Sequence, residues 1–157
     1  MSIEQGRAYL VQRGYGDRIL EFAASSATVE LAAQAVGCQS AHIAKTLSFA
    51  VGEGCVLIVC AGDAKIDNSK FKRQFHCKAV MLTPEQVEDF TGHAVGGVCP
   101  FGIRRSDVAV YLDLSLQRFD TVYPAAGNDH SAVRLNCEEL YQLSNSMGWI
   151  DVCKNWQ

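Results

Sequence analysis

Long hydrophobic runs are missing from this chain of 157 residues. The longest clearly apolar run, 55–61, is far too short to cross a bilayer. The N-terminal stretch MSIEQGRAYL has no basic segment followed by an apolar one, so no export signal is visible. We therefore expect a cytoplasmic protein.

The signature motifs of several common enzyme classes are also missing. The chain contains no G-x-x-x-x-G-K-[ST] phosphate loop, no G-x-G-x-x-G after a first strand, no H-E-x-x-H and no G-x-S-x-G elbow. Apolar residues make up 48% of the chain, enough to bury one core but with little room for a second. The sequence predicts one domain covering 1–157.

Paired cysteine motifs are absent although the chain has seven cysteines. They are scattered singly, with no C-x-x-C, and this pattern is typical of reduced thiols in the cytosol. The spacing of Cys55 and Cys60 and the neighbours His76 and Cys77 do not form the two tight ligand pairs of a structural zinc site. The sequence therefore predicts neither a metal site nor a cofactor.

The chain has no strong excess of charge, since 14 basic residues nearly balance 17 acidic ones and the net charge is -3. The segment 65–78 is nevertheless basic and contains a single acid, Asp67. Such a segment is typical of a surface that meets a phosphate backbone, and equally of a solvated helix face. Its cations are Lys65, Lys70, Lys72, Arg73 and Lys78.

Hydrophobic periodicity and capping residues predict a mixture of helices and strands. Helices are predicted at 3–13, 26–37, 68–75, 84–90 and 137–147, with Thr28 or Ser26, Thr83 and Asn136 as caps and Gly37 and Gly148 as stops. Strands are predicted at 18–22, 42–51, 55–62, 79–82, 108–116, 119–125, 131–135 and 149–153. Because these elements lack a regular βαβ rhythm, we expect an α+β (mixed α/β) domain.

Lys45 stands inside the apolar run HIAKTLSF. Strand alternation places it on one face with Ile43 and Leu47. A lysine there either extends to water at a sheet edge or presents a cation inside a pocket. The residues alone leave both readings open.

The segment TGHAVGGVCPFG, 91–102, brings glycines and a proline together. Gly96, Gly97 and Pro100 form a G-x-x-x-P pattern in which few side chains shield the peptide groups. Glycines of this kind serve turn geometry, or they let backbone approach a small polar ligand. Cys99 in this loop is a candidate nucleophile if His130 comes near it.

A second turn, AAGNDHSAV, contains Gly127, Asn128 and His130. Histidine suits acid–base or hydrogen-bonding work. A lone histidine on a loop is also commonly a solvated side chain. This alternative stays open as well.

Taken in series, AKTLSF, AGDAKID, TGHAVGGVCPFG, VYLDLSL and AAGNDHSAVRL resemble the YbaK/prolyl-tRNA synthetase-associated domain family of trans-editing aminoacyl-tRNA deacylases. The resemblance runs from about residue 28 to residue 140. It implies a largely antiparallel, barrel-like curved sheet surrounded by helices. It also implies hydrolysis of the ester between a wrong small amino acid (alanine, serine, threonine or cysteine) and the terminal adenosine of a tRNA, commonly tRNA(Pro).

The same resemblance implies roles for particular residues. Lys45 is the implied catalytic residue, with water or a ribose hydroxyl as the attacking group. Prolyl-tRNA synthetase or an elongation factor is a candidate partner beside the tRNA. The implied substrate-binding residues are Thr46, Gly96, Gly97, Val98, Pro100, Gly127, Asn128 and His130, with pocket walls at 25–31; the implied tRNA-binding residues are Lys65, Lys70, Lys72 and Arg73, with Arg104 and Arg105 as further candidates.

Two rival hypotheses remain from the sequence. One is a non-catalytic tRNA- or synthetase-binding module of the same fold. The other is a small-ester hydrolase that depends on Cys99. Replacing Cys99 by serine distinguishes the second from the deacylase, which predicts little loss of rate.

Overall fold

The computed structural model describes residues 2–94 and 97–156. Its helices are α1 (Ser2–Gln12), α2 (Val29–Val36), α3 (Asn68–Phe75), α4 (Pro84–Thr91) and α5 (Cys137–Leu143). Its strands are β1 (Ile19–Glu21), β2 (Ile43–Val51), β3 (Gly54–Ala61), β4 (Lys65–Ile66), β5 (Val108–Asp113), β6 (Tyr123–Pro124), β7 (Ser131–Val133), β8 (Trp149–Ile150) and β9 (Cys153–Lys154). No helix in the described part of the chain is long and apolar enough to span a membrane.

The main sheet has the strand order β6-β2-β3-β5-β8. Its longest ladder is the antiparallel β2–β3 hairpin, while β6 joins β2, and β5 joins β3, in parallel. Two small antiparallel sheets pair β1 with β7 and β4 with β9. The α+β class with a mixed sheet is thereby confirmed.

The core lies on β3, the central strand, whose residues from Cys55 to Ala61 are all buried. A continuous apolar run of this kind is what a strand covered on both faces requires. Phe49 of β2 packs its ring 4.9 Å from that of Phe71 on α3, and Phe71 packs against Phe75. The helix is thus fixed against the hairpin.

The helices begin where their capping residues stand. Thr28 caps α2 by accepting the N–H of Leu31, and Gly37 ends that helix in the left-handed region at φ 86°. Thr83 and Asn136 each form a capping box, at α4 and α5. The predictions of α2, α3 and α4 are confirmed.

Several predicted boundaries are wrong. The segment 79–82 contributes only an isolated bridge between Met81 and Phe49. The strand predicted at 108–116 ends at Asp113, because the Asp113 carboxylate accepts the Ser115 N–H and starts a 3₁₀ turn. The strand predicted at 119–125 is reduced to β6, and the one predicted at 149–153 is divided between β8 and β9. The last helix ends at Leu143, well before Gly148.

Candidate functional site

The outer edge of β2 opens into a gap at Thr46. Peptide groups in an antiparallel pair alternate between facing the partner strand and facing away. On the outer edge the Ser48 carbonyl accepts the Leu82 N–H, and Ala44 pairs with β6. Thr46 lies between them, so its N–H and carbonyl face outward and meet no partner among the described residues. Two main-chain groups are therefore available to a ligand.

A cavity of about 450 Å³ occupies this gap. Its walls are β2, the start of α2, the segment before α4, the glycine loop and the turn around β7. Most of the lining is apolar, which suits a small organic group held by a few polar contacts. The lining residues are Ser26, Ala27, Thr28, Val29, Ala32, Ile43, Ala44, Lys45, Thr46, Leu47, Ser48, Met81, Leu82, Pro84, Val87, Val98, Tyr123, Ala125, Ser131 and Ala132.

Lys45 is half-buried on the wall of this cavity. Its Nζ lies 2.5 Å from the Ala64 carbonyl oxygen and 3.3 Å from that of Gly62, and donates to both. An ammonium group has three N–H donors. One donor is thus left for a ligand, while the other two hold the side chain in place.

The carbonyl groups that hold Lys45 belong to a clamped turn. Asp63 lies between them, and its carboxylate accepts from both Nη atoms of Arg118, at 2.6 and 3.0 Å. The Arg118 hydrogen bond, more than its charge, lowers the pKa of Asp63. Since a bidentate pair fixes direction as well as distance, Arg118 sets the position of the Lys45 acceptors.

Two hydroxyl groups in the lining have no partner. Ser26 Oγ and Thr46 Oγ1 are buried and make no hydrogen bond with the described residues. The Ser26 N–H is bonded to the carbonyl of Asp129, which ties this segment to the second turn. An unsatisfied buried hydroxyl costs about 1–3 kcal/mol, so a ligand that pairs with it gains affinity.

The glycine loop meets the second turn at Gly97. A Cβ on Gly97 would lie 2.7 Å from the backbone nitrogen of Asn128 and closer still to its Cα. Glycine is required here by the packing of one turn against the other. The Gly97 N–H donates to the Ala94 carbonyl, so this donor is already used within the loop.

The other predicted loop residues are placed differently from one another. Val98 lies on the wall of the cavity with Lys45. Pro100 is buried and lines a different cleft, away from Lys45. Gly96 lies outside the described residues.

In the second turn, Gly127, Asn128 and His130 do not line the cavity, although the adjacent Ala125 and Ser131 do. Asn128 accepts the His130 N–H through its side-chain oxygen. The His130 Nδ1 lies 2.6 Å from the Asp129 carboxylate, and the imidazole is about half exposed. These residues shape the turn behind the cavity.

Cys99 meets His93, not His130. The Cys99 sulfur is fully buried 3.5 Å from His93 Nε2, and burial raises the pKa of this thiol to about 12. His93 Nε2 is also 2.8 Å from the Phe101 carbonyl oxygen, which can only accept, so this nitrogen carries a proton. Cys99 therefore lacks the thiolate and the base that a nucleophile needs.

The predicted tRNA-binding cations differ in whether a carboxylate of the protein already pairs with them. Lys70 is held by the Asp151 carboxylate at 2.9 Å and by the Cys153 carbonyl, and the hydrogen bond to Asp151 raises its pKa. Lys65, Lys72 and Arg73 are exposed and form no ion pair with the described residues. No three His, Cys, Asp or Glu side chains in the described ranges come together as a metal site.

No motif in the sequence points to His93, Asp63 or Arg118. Each is defined by a contact with a distant part of the chain or by burial. The histidine inside T-G-H, next to the glycines, was the one local signal for His93.

Comparisons with known proteins show the family of this chain. Residues 23–143 match the family model described as "Aminoacyl-tRNA editing domain". The chain is 50% identical over 158 residues to "Uncharacterized protein YwhH" of Bacillus subtilis (strain 168), covering 100% of both chains. It is 30% identical over 121 residues to "Putative Cys-tRNA(Pro)/Cys-tRNA(Cys) deacylase EbsC" of Enterococcus faecalis, covering 75% of this chain and 73% of that protein.

Solved structures show the same similarity. "Crystal structure of a putative trans-editing enzyme for prolyl tRNA synthetase" matches with a TM-score of 0.87 and 32% identity, covering 98% of this chain and 97% of that one. "Crystal structure of hypothetical protein APE2540" matches with a TM-score of 0.83 at 23% identity, over 96% of this chain and 99% of that one. The second likeness concerns the fold alone.

Proposed function

Because this chain belongs to the aminoacyl-tRNA editing domain family, we propose that it is a free-standing deacylase of mischarged tRNA, chiefly tRNA(Pro) carrying a small wrong amino acid. The observation that carries the proposal is the convergence of Lys45, the open peptide group of Thr46 and the loop residue Val98 on one cavity. At about 450 Å³ this cavity falls within the common range for ligand sites, about 300–1,000 Å³.

The chemistry asks little of the protein. An aminoacyl ester is already activated, so the site must place water or the neighbouring ribose hydroxyl against the carbonyl carbon and stabilise the oxyanion. The third N–H of Lys45 anchors the acceptor end through a ribose or phosphate oxygen. Thr46 and Val98 supply the main-chain N–H donors for the oxyanion, since that of Gly97 is already used.

A second sieve of this kind is useful because a pocket for a small apolar side chain rejects near-isosteres by only about 1–3 kcal/mol. The unpartnered hydroxyls of Ser26 and Thr46 favour a substrate whose side chain also forms hydrogen bonds. We therefore place serine, threonine and cysteine ahead of alanine as the amino acid removed.

The test is deacylation of tRNA(Pro) charged separately with alanine, serine, threonine and cysteine, without added metal. We expect release of at least one polar amino acid. Lys45→Ala should lower kcat by about a hundredfold or more, because an acceptor end without its anchor is misplaced against the attacking group. Lys154→Ala removes an exposed lysine of β9, and serves as the control with an unchanged kcat. Full activity in Lys45→Ala would exclude Lys45 from the mechanism.

The rival binding module differs in outcome. It predicts that the wild-type protein binds tRNA(Pro) but releases none of the four amino acids.

The basic segment 65–78 is proposed to contact the RNA through Lys65, Lys72 and Arg73. Lys70 contributes less because Asp151 already neutralises its charge. Activity at limiting substrate is then expected to fall as salt is added.

A further inference from the structure

A second and larger cleft, of about 910 Å³, lies on the other side of the glycine loop. We call it the arginine cleft, after Arg13, Arg104 and Arg105 in its lining. Its walls are the end of α1, the segment after Pro100, the first half of β5 and the residues that follow α5. It shares with the candidate site only the loop between them, since Val98 faces one cavity and Pro100 the other.

The charge of the arginine cleft is opposite to that of the whole protein. No carboxylate is among the described residues that line it, and the net charge of the chain is -3. Arg13 and Arg104 are exposed and form no ion pair with the described residues. Arg105 is bonded to the carboxylates of Asp89 and Asp107 at the rim. Two guanidinium groups are thus left uncompensated.

The cleft is also partly preorganised. The Arg13 guanidinium carbon lies 3.6 Å from the centre of the Tyr9 ring, and its Nη1 donates to the Tyr9 carbonyl. Because stacking already restricts the rotamers of Arg13, this side chain loses less conformational entropy when it binds a ligand. Gln12, Ser106 and Asn145 add neutral hydrogen-bond donors and acceptors to the lining. Guanidinium groups together with amides and hydroxyls are the groups that contact phosphate and sugar in nucleic-acid complexes.

We propose that the arginine cleft binds the phosphate backbone of the tRNA whose charged end enters the candidate site. This inference rests on the proposed function. Val98 on one cavity and Pro100 on the other are two residues apart in the chain, so one RNA strand can reach both surfaces. The cleft then acts in addition to the basic segment 65–78, where Lys70 is already neutralised.

The test measures binding of uncharged tRNA(Pro) to the full chain at several salt concentrations. The variant Arg13→Gln with Arg104→Gln is expected to weaken binding about tenfold and to lower the salt slope by about one for each arginine. The matched variant Lys72→Gln with Arg73→Gln reports on the basic segment. The variant Arg13→Lys with Arg104→Lys keeps both charges and is expected to retain most of the wild-type affinity.

Kinetics separate this proposal from the proposed function. The cleft variant is expected to raise KM for charged tRNA and to leave kcat unchanged, whereas Lys45→Ala lowers kcat. Wild-type binding and salt slope in the cleft variant would overturn the cleft proposal and leave the deacylase intact. Binding of a poly-glutamate peptide is measured with the same variant. If Arg13→Gln with Arg104→Gln weakens binding of the peptide but not of tRNA, the cleft proposal is overturned in favour of an acidic protein partner. If the wild-type protein deacylates charged tRNA but does not bind uncharged tRNA(Pro), only the cleft proposal is overturned. If it does neither, both proposals are overturned.

Discussion

Gly97 packs directly against the backbone of Asn128. The glycine loop and the second turn, both implied by the family resemblance to bind substrate, therefore contact each other. The contact forms a joint behind the cavity that contains Lys45. Val98, next to this joint, is held on the cavity wall. The glycine thus serves the site indirectly, through the packing of one turn on the other.

Replacing Gly97 by alanine tests this joint. The added Cβ would overlap Asn128 backbone, which cannot move away as a flexible side chain can, so we expect a loss of about 1–3 kcal/mol in the free energy of unfolding. Deacylation should fall as well, because Val98 shifts. Chemical denaturation and initial rates measure the two effects.

The control is Gly52→Ala in the β2–β3 turn. Gly52 has a φ of 59° and no atom within 4 Å of the added Cβ. It therefore incurs backbone strain, about 1–2 kcal/mol, without a clash, and leaves the rate unchanged. Equal loss of activity in both variants would contradict a special role for the joint.

The clamp between Asp63 and Arg118 gives a second prediction. Asp63→Asn keeps the shape of the side chain but removes its charge, so the turn that accepts the Lys45 hydrogen bonds loosens. We expect kcat to fall several-fold while the affinity for uncharged tRNA stays the same. Asp151→Asn, which breaks the exposed pair with Lys70, is the control and should leave kcat intact. An Asp63→Asn enzyme with wild-type kcat would refute the positioning role.

Local signals explain why parts of this fold are predictable. The caps of α2 and α4 are formed within a few residues of each helix, and the hairpin follows from two apolar runs around a glycine turn. The end of α5 depends instead on a distant group, since the Leu143 carbonyl accepts the hydroxyl of Tyr9 on α1. No window around Leu143 contains that information.

The candidate site also has features that the sequence reveals and features that only the fold reveals. A lysine in an apolar strand and a cluster of glycines are visible as anomalies in the sequence. The unpartnered hydroxyl of Ser26 becomes visible only once β2, α2 and the second turn are assembled. The Asp63–Arg118 pair likewise joins residues far apart in the chain.

Cys99 gives a third prediction, against thiol catalysis. Burial raises its pKa to about 12, so almost no thiolate exists at neutral pH. We expect Cys99→Ser to change kcat/KM by less than about threefold, and iodoacetamide to leave the native enzyme active. Cys38→Ser, at a half-buried free cysteine, serves as the control for thiol removal. A rate that vanishes in Cys99→Ser, with the fold retained, would restore the thiol hydrolase.

The buried His93 predicts how stability depends on pH. Burial lowers its pKa below the ordinary value of 6.5, against the opposing effect of the Phe101 carbonyl. Between the lowered pKa and 6.5 the unfolded chain binds a proton that the folded chain does not, so the free energy of unfolding falls as pH drops through this window. Asp63 and Glu139 also have lowered pKa values, from 3.8 and 4.5. The stability that they add is present at neutral pH and is lost only as the pH falls below this window.

Urea unfolding from pH 7.5 to pH 5 measures this effect. His93→Gln keeps a donor for the Phe101 carbonyl but cannot be protonated, so its stability should change less with pH than that of the wild-type protein, whatever its stability at pH 7.5. If both proteins lose the same free energy over this range, His93 is not the group that titrates. Because its ring contacts Phe101 and Cys99 within the same glycine loop, its protonation should also loosen the wall at Val98 and lower deacylation in acid.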